Sequence, residues 1–144
     1  MKRIALGMII LTLITLVVGC NNTVSELNVT ETQKIIENKL KNTEVVDEEL
    51  LEDVYGLDLS KMDVHIIKQN SEGDLYAIIK ATDKASVKND MKKYFEKVEK
   101  FNTNYSPERL EILSNRVEKE IGDYLIYIVS ENAENIYSEI LKTL

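Results

Sequence analysis

Gly122-Asp123-Tyr124-Leu125-Ile126-Tyr127-Ile128-Val129-Ser130 is the stretch that decides the fold. From Tyr124 to Val129 every residue is apolar or aromatic, on both alternating faces, which is the pattern of a strand covered on each side. Gly-Asp before it is turn chemistry, and Ser130 after it is a helix cap. The segment is therefore expected in the middle of a sheet, with a helix to follow. In that helix Ala133, Ile136, Tyr137, Ile140 and Leu141 fall on one face. Just upstream, Val117, Lys119 and Ile121 alternate strictly with Arg116, Glu118 and Glu120, as in an edge or half-exposed strand. Residues 116–129 thus read as a hairpin.

A second hairpin precedes it. Residues 64–68 and 75–81 are rich in β-branched side chains and are separated by Asn70-Ser71-Glu72-Gly73-Asp74. From Asp83 the period changes to three and four, through Val87, Met91, Tyr94, Phe95, Val98 and Tyr105, which predicts a long amphipathic helix. Ser106-Pro107-Glu108 then places a capping hydroxyl before a first-turn proline, so the chain turns there and a new helix starts. Nearer the N-terminus, Thr30-Glu31-Thr32-Gln33 has capping-box spacing, with Ile36 and Leu40 on the helical face that follows. A further helical stretch is expected over residues 47–55, with acids at its start and Gly56 as a left-handed stop.

Together these elements predict an α+β fold. Its expected form is a four-stranded, mostly antiparallel sheet made from two β-hairpins, each followed by a helix, with the helices packed on one face. Gly73-Asp74-Leu75-Tyr76-Ala77-Ile78-Ile79 echoes Gly122-Asp123-Tyr124-Leu125-Ile126-Tyr127-Ile128. Turn chemistry alone makes two hairpins alike at Gly-Asp, so the architecture does not require a duplication.

Residues 50–144 resemble a family of small lipoproteins from Gram-positive bacteria, catalogued as a domain of unknown function, number four-three-five-eight. The resemblance is carried by residues 51–55 followed by Gly56-Leu57-Asp58, by the strand 75–81 running into Asp83, by the charged helix containing Tyr94, and by the closing segment 122–130. It implies fold and location, since the family has no established activity or residue roles.

The beginning of the chain bears on location. Lys2 and Arg3 precede an apolar run from Ile4 to Val18, interrupted only by Gly7, Thr12 and Thr15, and Val17-Val18-Gly19-Cys20 closes it. This resembles the signal peptide and lipobox of a bacterial lipoprotein, with Val17 where the pattern prefers leucine. The resemblance implies that a signal peptidase recognises Val17, Val18 and Gly19. It also implies that Cys20 carries a diacylglyceryl group, with palmitate among the acyl chains, and becomes the first residue of the mature protein. A membrane-spanning helix is the other reading of this run, but no basic residue follows it to act as a stop-transfer anchor. The organisation expected is a signal peptide over 1–19, a lipid-attached tether over 20–29 and one α+β domain over 30–144.

Removal of residues 1–19 leaves one cysteine, so stability must come from packing and not from a disulfide. It also leaves 16 Lys and Arg against 25 Asp and Glu, a net charge of −9. Such a chain is repelled by nucleic acid and by anionic head groups or wall polymers. No nucleic-acid partner is expected.

Few residues of the chain have the types and spacing that chemistry requires. His65 is the only histidine, Asp63 is its one nearby acid, and neither a zinc site nor a Ser-His-Asp relay can be assembled around it. Asp47, Glu48 and Glu49 with Glu52 and Asp53, and Glu131 with Glu134, lack the alternating oxygens and glycine of a calcium loop, and they read as solvated helix faces. The three glycines of the mature chain are all used at turns, which leaves no phosphate loop. No cofactor, metal or catalytic residue is expected. Tyr76, Tyr94, Tyr105, Tyr124, Tyr127 and Tyr137 are the remaining candidates for a surface, mostly on core stripes, with Tyr105 at the helix break expected to be exposed.

The function expected is therefore that of a cell-envelope lipoprotein on the extracytoplasmic face of the cell membrane. It would be anchored there by lipid and act as a non-enzymatic binding or interaction module for an envelope protein or small ligand. The alternative is a small envelope hydrolase using a carboxylate pair. A solute receptor fits less well, because one domain of this size lacks a two-lobed cleft.

Overall fold

The computed structural model describes residues 26–144. The expected signal peptide, with Val17, Val18 and Gly19, and the expected lipidation residue Cys20 lie outside the described residues. Helix α1 spans Val29–Lys39, strand β1 Glu44–Val45, β2 Val64–Gln69, β3 Leu75–Lys80, helix α2 Lys84–Tyr105, α3 Leu110–Ser114, β4 Val117–Ile121, β5 Tyr124–Val129 and α4 Ala133–Leu141. A wide helical turn covers Leu50–Val54, and single 3₁₀ turns cover Leu59–Lys61 and Pro107–Arg109.

The sheet is antiparallel, in the order β1-β2-β3-β5-β4. It has five strands where four are expected from the sequence. The extra strand, β1, is two exposed residues long, too short for alternation to register. It is held by pairing with β2 and by the Val46 amide donating to the Ile67 carbonyl at 3.0 Å. β5 is an interior strand as expected, but β3 occupies the centre.

The helices cover both faces of the sheet, not one. On one face α1 and α4 supply Ile36, Leu40, Ile136 and Ile140 against Tyr76, Ile78, Ile126 and Ile128. On the other, α2, α3 and the turns of residues 50–62 supply Leu51, Met91, Phe95 and Leu113 against Ala77, Ile79, Leu125 and Val129. The physical reason is the double-sided burial of β3 and β5, whose residues are nearly all buried on both faces. One layer of helices would leave half of those side chains in water, at roughly 1.5–3 kcal/mol for each large one. The placement also separates the two hairpin–helix units. The two-fold axis that exchanges antiparallel neighbours β3 and β5 is perpendicular to the sheet and would leave α2 and α4 on the same face.

Local signals act close to where the sequence puts them. α1 is capped by the Asn28 side chain, which accepts from the Glu31 amide at 3.1 Å, and so starts earlier than a cap at Thr30 would place it. Leu27 already belongs to the core. Over residues 50–54 the chain widens, and the Tyr55 amide reaches the Leu50 carbonyl at 3.2 Å, before Gly56 stops it at φ 74°. α2 is capped by Asp83, and Pro107 opens the next turn.

These elements give the domain two ends. At one, Leu27 packs beside Lys80, Gly122 and Tyr124, so the chain enters the domain where β3 finishes and β5 begins. At the other lie the β2–β3 turn, the end of β5 and the last turns of α2. The 22 residues of α2 separate the two ends by about 33 Å at about 1.5 Å per residue.

Candidate functional site

The β2–β3 turn is built by Asn70. Its Oδ1 accepts from the amides of Glu72 at 3.0 Å and Asp74 at 2.9 Å, while its carbonyl accepts from Gly73 at 3.1 Å. Gly73 sits at φ 86°, in the left-handed region where a side chain would be strained. A Cβ there would also stand 3.2 Å from Arg109 Nε. Arg109 Nη2 donates to Asp74 Oδ1 at 3.0 Å, with both side chains largely shielded. That ion pair ties the turn to the segment following α2, and a groove of about 260 Å³ opens between them.

Leu75, Phe95, Leu113 and Val129 form its buried floor, and Tyr55, Val98 and Phe101 its walls. Gln69, Ser71, Asn102, Ser106 and Arg109 supply a polar rim. Phe95 is held in place by a run of rings, with centroids 5.1 Å from Tyr94 and 5.6 Å from Tyr127, while Tyr94 is 4.8 Å from Tyr55. Arg116 lies over the Phe95 ring at 4.3 Å and is fixed by Glu99 at 2.7 Å and Glu118 at 2.6 Å. Burial pushes the Tyr94 hydroxyl far above its ordinary pKa, and it does the same to Tyr127. At the rim the chemistry reverses: Phe101 is 57% and Tyr105 72% exposed, and their rings stack at 4.7 Å.

The residues singled out from sequence distribute as follows. Tyr76, Tyr94, Tyr124 and Tyr127 are core, Tyr137 is half-buried, and Tyr105 is exposed as expected. His65 lies on β2 with Nε2 3.1 Å from Glu48 Oε1, while Asp63 accepts from Thr82 Oγ1 at 3.2 Å. Asp47 caps the turn that follows it, accepting from the Leu50 amide at 3.2 Å. Glu131 and Glu134 border a second cleft with Glu108 and Glu111, across the 107–114 ridge from the groove. Among the described residues no three His, Cys, Asp or Glu are grouped as metal ligands. The carboxylates whose pKa is displaced, Glu37, Asp58 and Glu120, are all lowered, chiefly by Lys68, Ser60 and Lys84 respectively.

Sequence reading missed Phe101 and Arg109. The signal for Phe101 was present, since it stands four residues before Tyr105 on a helix and so shares its exposed face. For Arg109 there was none, because its partner Asp74 is 35 residues away.

A family model described as a domain of unknown function (DUF4358) matches residues 35–130, about two thirds of the chain. No curated protein and no solved structure matches.

Proposed function

The chain belongs to the family defined by DUF4358, a domain of unknown function, and on that premise we propose that it is a lipid-anchored, non-enzymatic binding module of the Gram-positive cell envelope, displayed on the extracytoplasmic face of the membrane. The observation that carries this reading is the position of the groove. It lies with the exposed Phe101–Tyr105 pair at the end of the domain opposite the entry of the chain beside Lys80 and Tyr124. Cys20 precedes Leu27 by seven residues, which reach at most about 25 Å at about 3.6 Å each. An acylated Cys20 therefore holds the entry end near the bilayer and the groove roughly a helix length farther out. Exposed aromatic rings beside a preformed hollow suit recognition of a partner arriving from outside the membrane.

Two measurements test the proposal. Intact-mass spectrometry of the membrane-extracted protein should give residues 20–144 plus an acylated glyceryl thioether, with the modification lost in Cys20→Ala; an unprocessed full-length mass sinks the anchor. A photo-crosslinking residue at position 71 should give a discrete adduct in the producing cell, whereas one at position 123 should not. Equal adducts, or none, at both positions would remove the groove from the function.

A further inference from the structure

We infer that the groove docks a polypeptide segment presenting one aromatic or aliphatic side chain flanked by cationic residues. The inference rests on reading the groove as a docking site. The volume of about 260 Å³ lies at the lower edge of the ~300–1,000 Å³ usual for small-molecule sites and is room enough for one large side chain. The floor residues are almost fully buried, so the apolar surface open to a partner comes from Tyr55, Val98 and Phe101, enough for one large apolar group. The more extensive polar rim, with Asn102 and Ser106, suits the main chain to either side of it.

Charge argues for the flanks. Arg109 and Arg116, the two arginines beside the groove, are already neutralised, the first by Asp74 and the second by Glu99 and Glu118. Glu72 on the rim, and Glu108, Glu111, Glu131 and Glu134 around the adjoining cleft, form no ion pair within the described residues. Three lysines without a carboxylate partner among the described residues offset this only in part: Lys41, whose carbonyl meets Asn70, Lys97, whose Nζ donates to the carbonyl of the wall residue Tyr55, and Lys100, which precedes Phe101. Against the five glutamates this end of the domain stays negative. A cationic segment is complementary to it, and an anionic one is repelled.

The full chain in a neutral detergent is titrated with three dye-labelled pentapeptides, followed by fluorescence anisotropy. One has a central phenylalanine flanked by lysines, one the same phenylalanine flanked by glutamates, and one a central glycine flanked by lysines. The first should bind about tenfold more tightly than either other, in line with one buried ring and local charge. Phe101→Ala, and separately Glu108→Gln with Glu111→Gln, should each weaken it several-fold. Equal binding of the glycine peptide, or indifference to Phe101→Ala, overturns the inference. A preference for the glutamate-flanked peptide that is lost in Phe101→Ala overturns the cationic partner and keeps the docking site. Failure of all three peptides overturns both.

Discussion

Tyr76 Oη donates to Glu37 Oε1 at 2.6 Å, joining the central strand to α1 through a polar bond over an otherwise apolar layer. Lys68 Nζ reaches the same oxygen at 2.6 Å, and Gln33 donates to it at 3.0 Å. Lys68 foremost, then Tyr76, hold the Glu37 carboxyl down from its ordinary 4.5 to about 2. The fold thus favours the ionised form. Its contribution is complete above pH 4.5 and is lost as pH falls toward about 2. With Glu37 partly solvated, that contribution is about 1–2 kcal/mol. Urea midpoints measured across this range should fall with pH in the native chain, and should fall less in Glu37→Gln and in Tyr76→Phe.

Ile126 pairs with Ile78 between the two interior strands, and both are fully buried beneath α1 and α4. Ile126→Ala should destabilise the domain by about 2–5 kcal/mol, and Ile126→Val by about 0.5–1.5, with the cavity term setting the difference. Chemical denaturation with an unchanged slope checks both. A loss below about 1 kcal/mol for alanine would mean that the second helical layer collapses onto the sheet more readily than its packing implies.

The double burial that makes Ile126 costly to truncate was visible in the segment 122–130, as were the alternation of β4, the length of α2 and the turns at Gly56, Gly73 and Gly122, all at positive φ. The side of the sheet taken by each helix was not visible, because amphipathicity states that a face is buried and not against which surface. β1 escaped notice because two exposed residues carry no period. The groove escaped for another reason. Its parts come from the turn at 70–74, the far half of α2 and the 106–113 segment, and only the folded chain brings Arg109 to Asp74.

Gly73 joins that turn to the groove. Gly73→Ala forces a side chain into φ 86° and presses on Arg109, which should cost about 1–2 kcal/mol. The expected effect extends beyond stability, because displacement of Arg109 loosens its bond to Asp74. Hydrogen exchange of the Glu72 and Asp74 amides, both now bonded to Asn70, should accelerate in the variant. Unchanged protection would show that the turn holds without the ion pair.

Phe95 and Phe101 lie six residues apart on one helix and should respond oppositely to truncation. Phe95 is 1% exposed and touches Tyr94, Tyr127 and Arg116. Phe95→Ala is expected to cost about 3–5 kcal/mol. Phe101 is 57% exposed and meets only the still more open Tyr105 among the aromatic rings. Phe101→Ser and Tyr105→Ser should therefore each change stability by no more than about 0.5 kcal/mol, as for ordinary surface positions. Thermal unfolding followed by circular dichroism separates these cases readily. If Phe101→Ser unfolds as early as Phe95→Ala, the exposed ring supports the fold. If it melts with the parent chain, two large rings are held in water at no benefit to stability, as an interaction surface requires.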